Sequence, residues 1–178
     1  TEPEMMWLTK DEDGKPTGGV TKPFCYHIEQ FAELRPIFMQ VIDYSAQMGL
    51  DMIQGDHEDA PGQLELNCTY DDVLRNADRL TTYRQICAQV ARENNLIACF
   101  MPKPFMGVSA SGCHHNMSLW RGGEDQLLNT AHADSLPGTD GSYQYRKGGE
   151  NTFMPLPGES KPGPMGLNCI GGVIEHLA

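Results

Sequence analysis

The sequence predicts an α+β fold, and three observations lead to it. Two apolar patterns, over 36–48 and 72–93, recur at helical spacing. Short strand-like runs bracket a turn at Asp59-Ala60-Pro61-Gly62, which is the signature of a hairpin. Hydrophobic residues make up 39% of the 178 positions and charged residues 21%, enough apolar surface for a core.

Each element has its own signal. Residues 4–9 read as a strand and 10–18 as a polar turn punctuated by Gly and Pro, while 19–30 fit neither period. Ile37, Val41, Tyr44 and Met48 then predict a helix from Pro36 to Met48. Pro36 suits a first turn, where its missing N–H costs nothing, and Gly49 suits the C-terminal cap. Leu50–Asp56 and Leu64–Tyr70 predict the two hairpin strands. The next helix, 72–93, takes Asp71 as N-cap and ends at Asn94-Asn95. Its predicted apolar stripe is Leu74, Ala77, Leu80, Tyr83, Ile86, Ala88 and Ala91.

Leu96–Met101 and Cys113–Trp120 read as further strands, joined by the loop 102–112. Residues 121–164 hold 8 Gly and 5 Pro in 44 positions, a composition that predicts a long irregular insertion. An amphipathic helix opens at 165. The chain begins inside a strand without an initiator Met and stops inside a helix, so both ends predict part of a longer chain, incomplete on either side.

Charge narrows the function classes. The 13 Lys and Arg against 24 Asp and Glu give −11, with no basic face to neutralise phosphates, so no nucleic-acid partner is expected. Apolar runs stay far below the roughly 18 to 20 residues of a membrane span, so no membrane partner is expected either. Six cysteines without a CxxC pair predict buried free thiols in a reducing compartment, and with no leader segment the expected location is cytoplasmic. The methionines Met5, Met6, Met101 and Met106 predict adaptable core. His27 and His115 predict structural or solvated positions, and His132 matches no motif.

Five side chains carry a chemical signal. Glu2 and Glu4 lie two apart on a strand and so share a face. Glu58 and Glu65 flank the hairpin turn and are predicted to face each other across it. His114 opens a strand after Ser109-Ala110-Ser111-Gly112. Four carboxylates and an imidazole on adjacent strands repel and lose hydration unless cations lie between them. Oxygen-rich ligation with one imidazole suits Mg²⁺ or Mn²⁺. Taken alone, each glutamate fits a solvated strand position better, and for all five together spacing does not choose between the two.

Four ordered segments resemble the catalytic domain of the glutamine synthetase family. Glu2-Pro3-Glu4 with its hydrophobic tail resembles the family's E-P-E-F-F strand. Glu58-Asp59-Ala60-Pro61-Gly62-Gln63-Leu64-Glu65 resembles E-x-A-P-G-Q-x-E. Phe100-Met101-Pro102-Lys103-Pro104, followed by Ser111-Gly112-Cys113-His114-His115-Asn116, resembles F-M-P-K-P…G-S-G-x-H-x-[HN]. Ile170-Gly171-Gly172-Val173-Ile174-Glu175-His176 resembles the family's I-G-G helix.

The resemblance implies a mainly antiparallel curved sheet with flanking helices, a partial catalytic domain over 1–178 with the 121–164 insertion within it. It implies an ATP-dependent ligase joining the γ-carboxylate of L-glutamate to a small amine through a γ-glutamyl phosphate. Glu4, Glu58 and Glu65 match ligands of one divalent cation, and Glu2 and His114 match ligands of a second, whose further Glu ligand falls beyond residue 178. Tyr70 matches an adenine-stacking aromatic, and Asn116 and Ser118 match polar contacts to nucleotide phosphate or ribose. Glu4 and the backbone of Ser109, Ala110 and Gly112 match the glutamate side of the site, and Lys103 matches the family's motif lysine, with orientation of its loop as the alternative. The family's phosphate-clamping arginines, glutamate flap and ammonium-binding aspartate fall outside this stretch, and its shared active sites imply a ring of identical subunits. Ser109-Ala110 replaces a common Asn-Gly, and this, with the insertion, resembles the γ-glutamylmethylamide synthetase (glutamate–methylamine ligase) subgroup. Methylamine is therefore the favoured amine. Ammonia, and a non-catalytic structural or regulatory relative, stay open as alternatives.

Overall fold

The structure, a computed structural model, describes residues 1–122, 124–129, 142–147, 149–155 and 157–176, with backbone alone for 124–129 and 142–147. It divides into two compact units, Thr1–His115 with Asn129–Tyr143, and Asn116–Leu128 with Gln144–Ala178. Three helices and short antiparallel strands make it an α+β fold of the expected kind.

The first unit is organised around β1 (Glu2–Lys10). Met6 of β1 pairs both with Gln63 of β4 (Gln63–Cys68) and with Cys99 of β5 (Ile97–Cys99), so those two strands lie on opposite edges of β1. Along the same two edges run β2 (Pro16–Gly19) and the two-residue β6 (Cys113–His114). The hairpin is completed by β3 (Met52–His57), antiparallel to β4. The opening strand is thus the centre of the sheet, flanked on both edges.

Strand alternation gives this sheet two unlike faces. Met5, Trp7, Leu64 and Leu66 point to one side and join Leu34 and Val41 of α1 (Ile28–Gln47) and Tyr83, Ile86, Cys87 and Val90 of α2 (Val73–Glu93) in a single core. On the other face, Met6 and Leu8 pack with Ala60 and Cys99 in a smaller cluster. Beyond that cluster the same face carries carboxylates. The turn between β3 and β4 needs a glycine: Gly62 has φ +71°, and a Cβ there would lie 2.3 Å from Trp7 O.

Several sequence expectations shift. α1 starts eight residues before Pro36, because His27 caps it by accepting from Gln30 N–H and Leu34 is buried in the core. Pro36 therefore lies inside the helix, where it forgoes one backbone bond. Gly49 has φ +74° just past the last turn, as a C-terminal cap requires. The cap of α2 is Asp72, which accepts from Leu74 and Arg75 N–H, while Asp71 pairs with Arg79 at 3.0 Å. The stripe of α2 correspondingly begins late. Leu74 and Ala77 are exposed, and Cys87 and Val90 belong to the stripe instead. Cys87 and Cys99 are buried, Cys113 and Cys169 are exposed, and all six thiols are free. Met5 and Met6 are core, but Met101 and Met106 lie on the surface.

The predicted strand Cys113–Trp120 survives only as β6 and, in the second unit, β7 (Trp120–Arg121). The region expected to be irregular contains paired strands where it is described: β7 with β10 (Glu150–Asn151), and β8 (Glu124–Asn129) with β9 (Ser142–Lys147). High Gly and Pro content masked these short ladders. The unit closes with α3 (Pro164–His176). His132 lies outside the described residues. Among the described residues, no helix is long and apolar enough to cross a membrane.

Candidate metal centre

The carboxylate face is built from residues of β1, β3, β4 and β6. Antiparallel register sets Glu2 opposite His114 and Glu4 opposite Glu65. The imidazole Nδ1 of His114 lies 3.3 Å from Glu2 Oε2. Ligand atoms of Glu2, Glu65 and His114 all fall within 4.8 Å of one another, a spacing that one cation can span. Glu65 is 8% exposed and is steered by Asn67, whose amide donates to Glu65 Oε1 at 2.7 Å. Glu4 is held differently, since its Oε2 accepts from Gln63 Nε2 at 2.7 Å and from Gly112 N–H at 3.0 Å.

Glu58 does not oppose Glu65 as expected. Its N–H donates to Gln63 O, and the strand partner of Glu65 is Asp56. Both glutamates nevertheless share one face, because residues 56 and 58 have equal parity along the strand. Burial, followed by the charges of Glu4, Glu65, Asp56 and Asp59, raises the carboxyl of Glu58 above its ordinary pKa. Burial, then the charges of Glu2, Glu4 and Asp56, raises Glu65 despite the opposing hydrogen bond from Asn67. Carboxylates whose protons are held by burial and mutual repulsion are those a divalent cation relieves most. The donor set of carboxylate oxygens and one imidazole fits Mg²⁺ or Mn²⁺.

The loop 102–112 packs against this cluster. Ser109 Oγ donates to Asp59 Oδ2, and Ser111 N–H donates to Pro102 O at 2.7 Å. Lys103 Nζ donates to Val108 O, tying its own loop. At Gly112 a Cβ would lie 2.9 Å from His114 Nε2 and 3.2 Å from Glu4 Oε1, so a larger residue there would displace the ends of both side chains. Tyr70 lies just past the end of β4 and is half exposed. Asn116 and Ser118 belong to the second unit, where Ser118 Oγ accepts from Trp120 Nε1 at 3.0 Å. His115 is exposed.

Four residues of this region carried no sequence assignment. Asp56 was reachable by counting back two from Glu58 along the strand. Gln63 stood inside the hairpin motif without a role, and Asn67 follows Glu65 by one strand period. Tyr26 gave no local signal: it adopts φ +54°, its N–H donates to His57 O, and the charge of Glu58 is the first cause raising its phenol pKa. His57 is buried on the helix-facing side of β3, and burial lowers its pKa.

Residues 2–141 match the family model of the glutamine synthetase catalytic domain. The chain belongs to the glutamine synthetase family. It is 35% identical over 120 residues to the glutamine synthetase of Rhizobium meliloti, covering 67% of this chain and 28% of that protein. It is 35% identical over 152 residues to that of Staphylococcus epidermidis, covering 83% of this chain and 33% of the relative. Among solved structures, apo GmaS superposes with TM-score 0.70 at 26% identity, covering 99% of this chain and 36% of the other. A GmaS/ADP complex gives TM-score 0.67 at 26% identity, covering 99% and 35%. The chain therefore spans about a third of the length of such family members. Every residue matched above to a cation, nucleotide or glutamate contact, from Glu2 to Ser118, falls inside the family-matched span.

Proposed function

We propose that this chain carries the cation-binding part of an ATP-dependent ligase that joins the γ-carboxylate of L-glutamate to a small amine, with methylamine the favoured amine. The observation that carries the reading is the grouping of Glu2, Glu65 and His114 within 4.8 Å, with Glu4 and Glu58 on the same face. The structural likeness to GmaS, a γ-glutamylmethylamide synthetase, over nearly the whole chain supports methylamine. The higher identity to proteins named glutamine synthetase supports ammonia as the second reading.

A carboxylate is a poor acyl electrophile, so ATP first phosphorylates the γ-carboxylate of glutamate and the amine then displaces phosphate. Bound Mg²⁺ or Mn²⁺, two per site in this reading, would neutralise phosphate charge and hold the reacting oxygens in line. Glu4, Glu58 and Glu65 would hold one cation, and Glu2 and His114 the other, with Glu65 close enough to be shared. The backbone of Ser109, Ala110 and Gly112 would receive the α-amino end of glutamate beside Glu4. Tyr70 would stack on adenine, and Asn116 and Ser118 would meet phosphate or ribose; the complex of GmaS with ADP supports a nucleotide site. A ring of identical cytoplasmic subunits completes the reading.

The test uses full-length protein given ATP, glutamate, Mg²⁺ and either amine at equal free-base concentration. More phosphate release with methylamine than with ammonium is expected. The reverse preference assigns the chain to ammonia, and no amine-dependent release with either contradicts the ligase reading.

A further inference from the structure

We propose that Gln63 is a positioning residue that couples the cation site to the loop that receives glutamate, an inference that rests on the function proposed above. Gln63 is 1% exposed although it ends in an amide. Its Oε1 accepts from Ala60 N–H at 2.8 Å. Its Nε2 meets three acceptors: Glu4 Oε2 at 2.7 Å, Ala110 O at 3.1 Å and Ser111 Oγ at 3.2 Å. A backbone donor on one side and a carboxylate and a carbonyl on the other allow a single orientation of the amide.

Glu4 Oε2 takes its second bond from Gly112 N–H. Both donors thus use Oε2, and Oε1 is turned to border, with His114 Nε2, the space at Gly112. One buried amide therefore fixes the carboxylate plane of Glu4, the backbone of the 110–111 loop and the turn that carries Glu58. Moving that loop breaks two bonds of Gln63 and the Gly112–Glu4 bond together. Glutamate held by the loop favours the arrangement in which Glu4 is pinned for a cation, and by linkage a cation on Glu4 favours glutamate by the same factor.

Mn²⁺ affinity of the full-length protein, measured calorimetrically with and without saturating L-glutamate, reads this coupling without turnover. Glutamate should tighten Mn²⁺ in the unaltered protein. Gln63→Met keeps the side-chain volume but removes the amide. It should weaken Mn²⁺ by about 10–100-fold, the usual effect of losing a partner that orients a metal ligand, and abolish the response to glutamate. Ser111→Ala removes only the longest of the three contacts and decides the matter if Gln63→Met does not fold. It should leave Mn²⁺ affinity without glutamate unchanged and reduce the coupling about two- to tenfold. A folded Gln63→Met protein with unaltered coupling, full coupling in Ser111→Ala, or no glutamate effect in the unaltered protein overturns the inference. An unaltered protein that binds no Mn²⁺ at all contradicts the proposed function itself.

Discussion

The two faces of the central sheet are made by the same strands, yet they hold opposite chemistry. Met5, Trp7, Leu64 and Leu66 face the helices, while Glu4, Gln63 and Glu65 alternate with them toward the other side. The apolar face stabilises the fold by removing surface from water, roughly 25 cal/mol per Å². The polar face works against it unless every donor and acceptor is matched and every charge neutralised. Hydrogen bonds from Gln63, Asn67 and Gly112 satisfy part of that requirement. Burial, and then the remaining negative charge, raises the carboxyls of Glu58 and Glu65, and divalent cations would relieve that charge.

Substitutions on the two faces should therefore have opposite signatures. The largest loss is expected from Trp7→Ala, which empties a fully buried site and should lower stability by about 3–5 kcal/mol in chemical denaturation, with or without Mg²⁺. Glu65→Gln should instead leave the metal-free protein as stable or more stable in a thermal melt, because one of the repelling charges is gone. The same variant should weaken Mn²⁺ at least tenfold by titration calorimetry. A Glu65→Gln protein that loses stability without losing Mn²⁺ affinity would erase the distinction between the faces.

The pH dependence follows from the raised carboxyls. In the folded state Glu58 and Glu65 hold protons more tightly than the ordinary value of 4.5, so the folded chain binds more protons than the unfolded one just above that pH. Stability of the metal-free protein should then fall as pH rises from about 4.5 through the raised range, and level off above it. Saturating Mg²⁺ should remove this fall, measured as melting temperature across the pH series. The smallest effect is expected far from both faces. Asp72→Ala removes the cap of α2 and should cost about 1 kcal/mol, independent of Mg²⁺.

Legibility in the sequence divides along similar lines. The hairpin was readable because Pro61-Gly62 interrupts two alternating strands, and Gly62 occupies a conformation and a space that other residues do not tolerate. The start of α1 was hidden because His27 is an unusual cap and Pro36 mimics a first-turn proline. Asp71 and Asp72 are adjacent and chemically alike, and only backbone geometry decides which one caps. The short ladders after residue 116 pair across tens of residues, which local pattern does not encode. In the site, Glu2, Glu4, Glu58, Glu65 and His114 were visible as residue types in family-like motifs. Asp56 follows from strand parity, whereas the placement of Tyr26 depends on a left-handed backbone and a bond to His57, both products of tertiary structure.

The central claim is that the polar face binds a divalent cation through His114 together with Glu2 and Glu65. Electron spin-echo spectroscopy of Mn²⁺ bound to the full-length protein tests it most directly, because a coordinated imidazole imprints nitrogen modulation on the metal signal. That modulation is expected in the unaltered protein, and its loss in His114→Ala, with weaker but detectable Mn²⁺ binding. Bound Mn²⁺ without nitrogen modulation, or modulation that persists in His114→Ala, would contradict it.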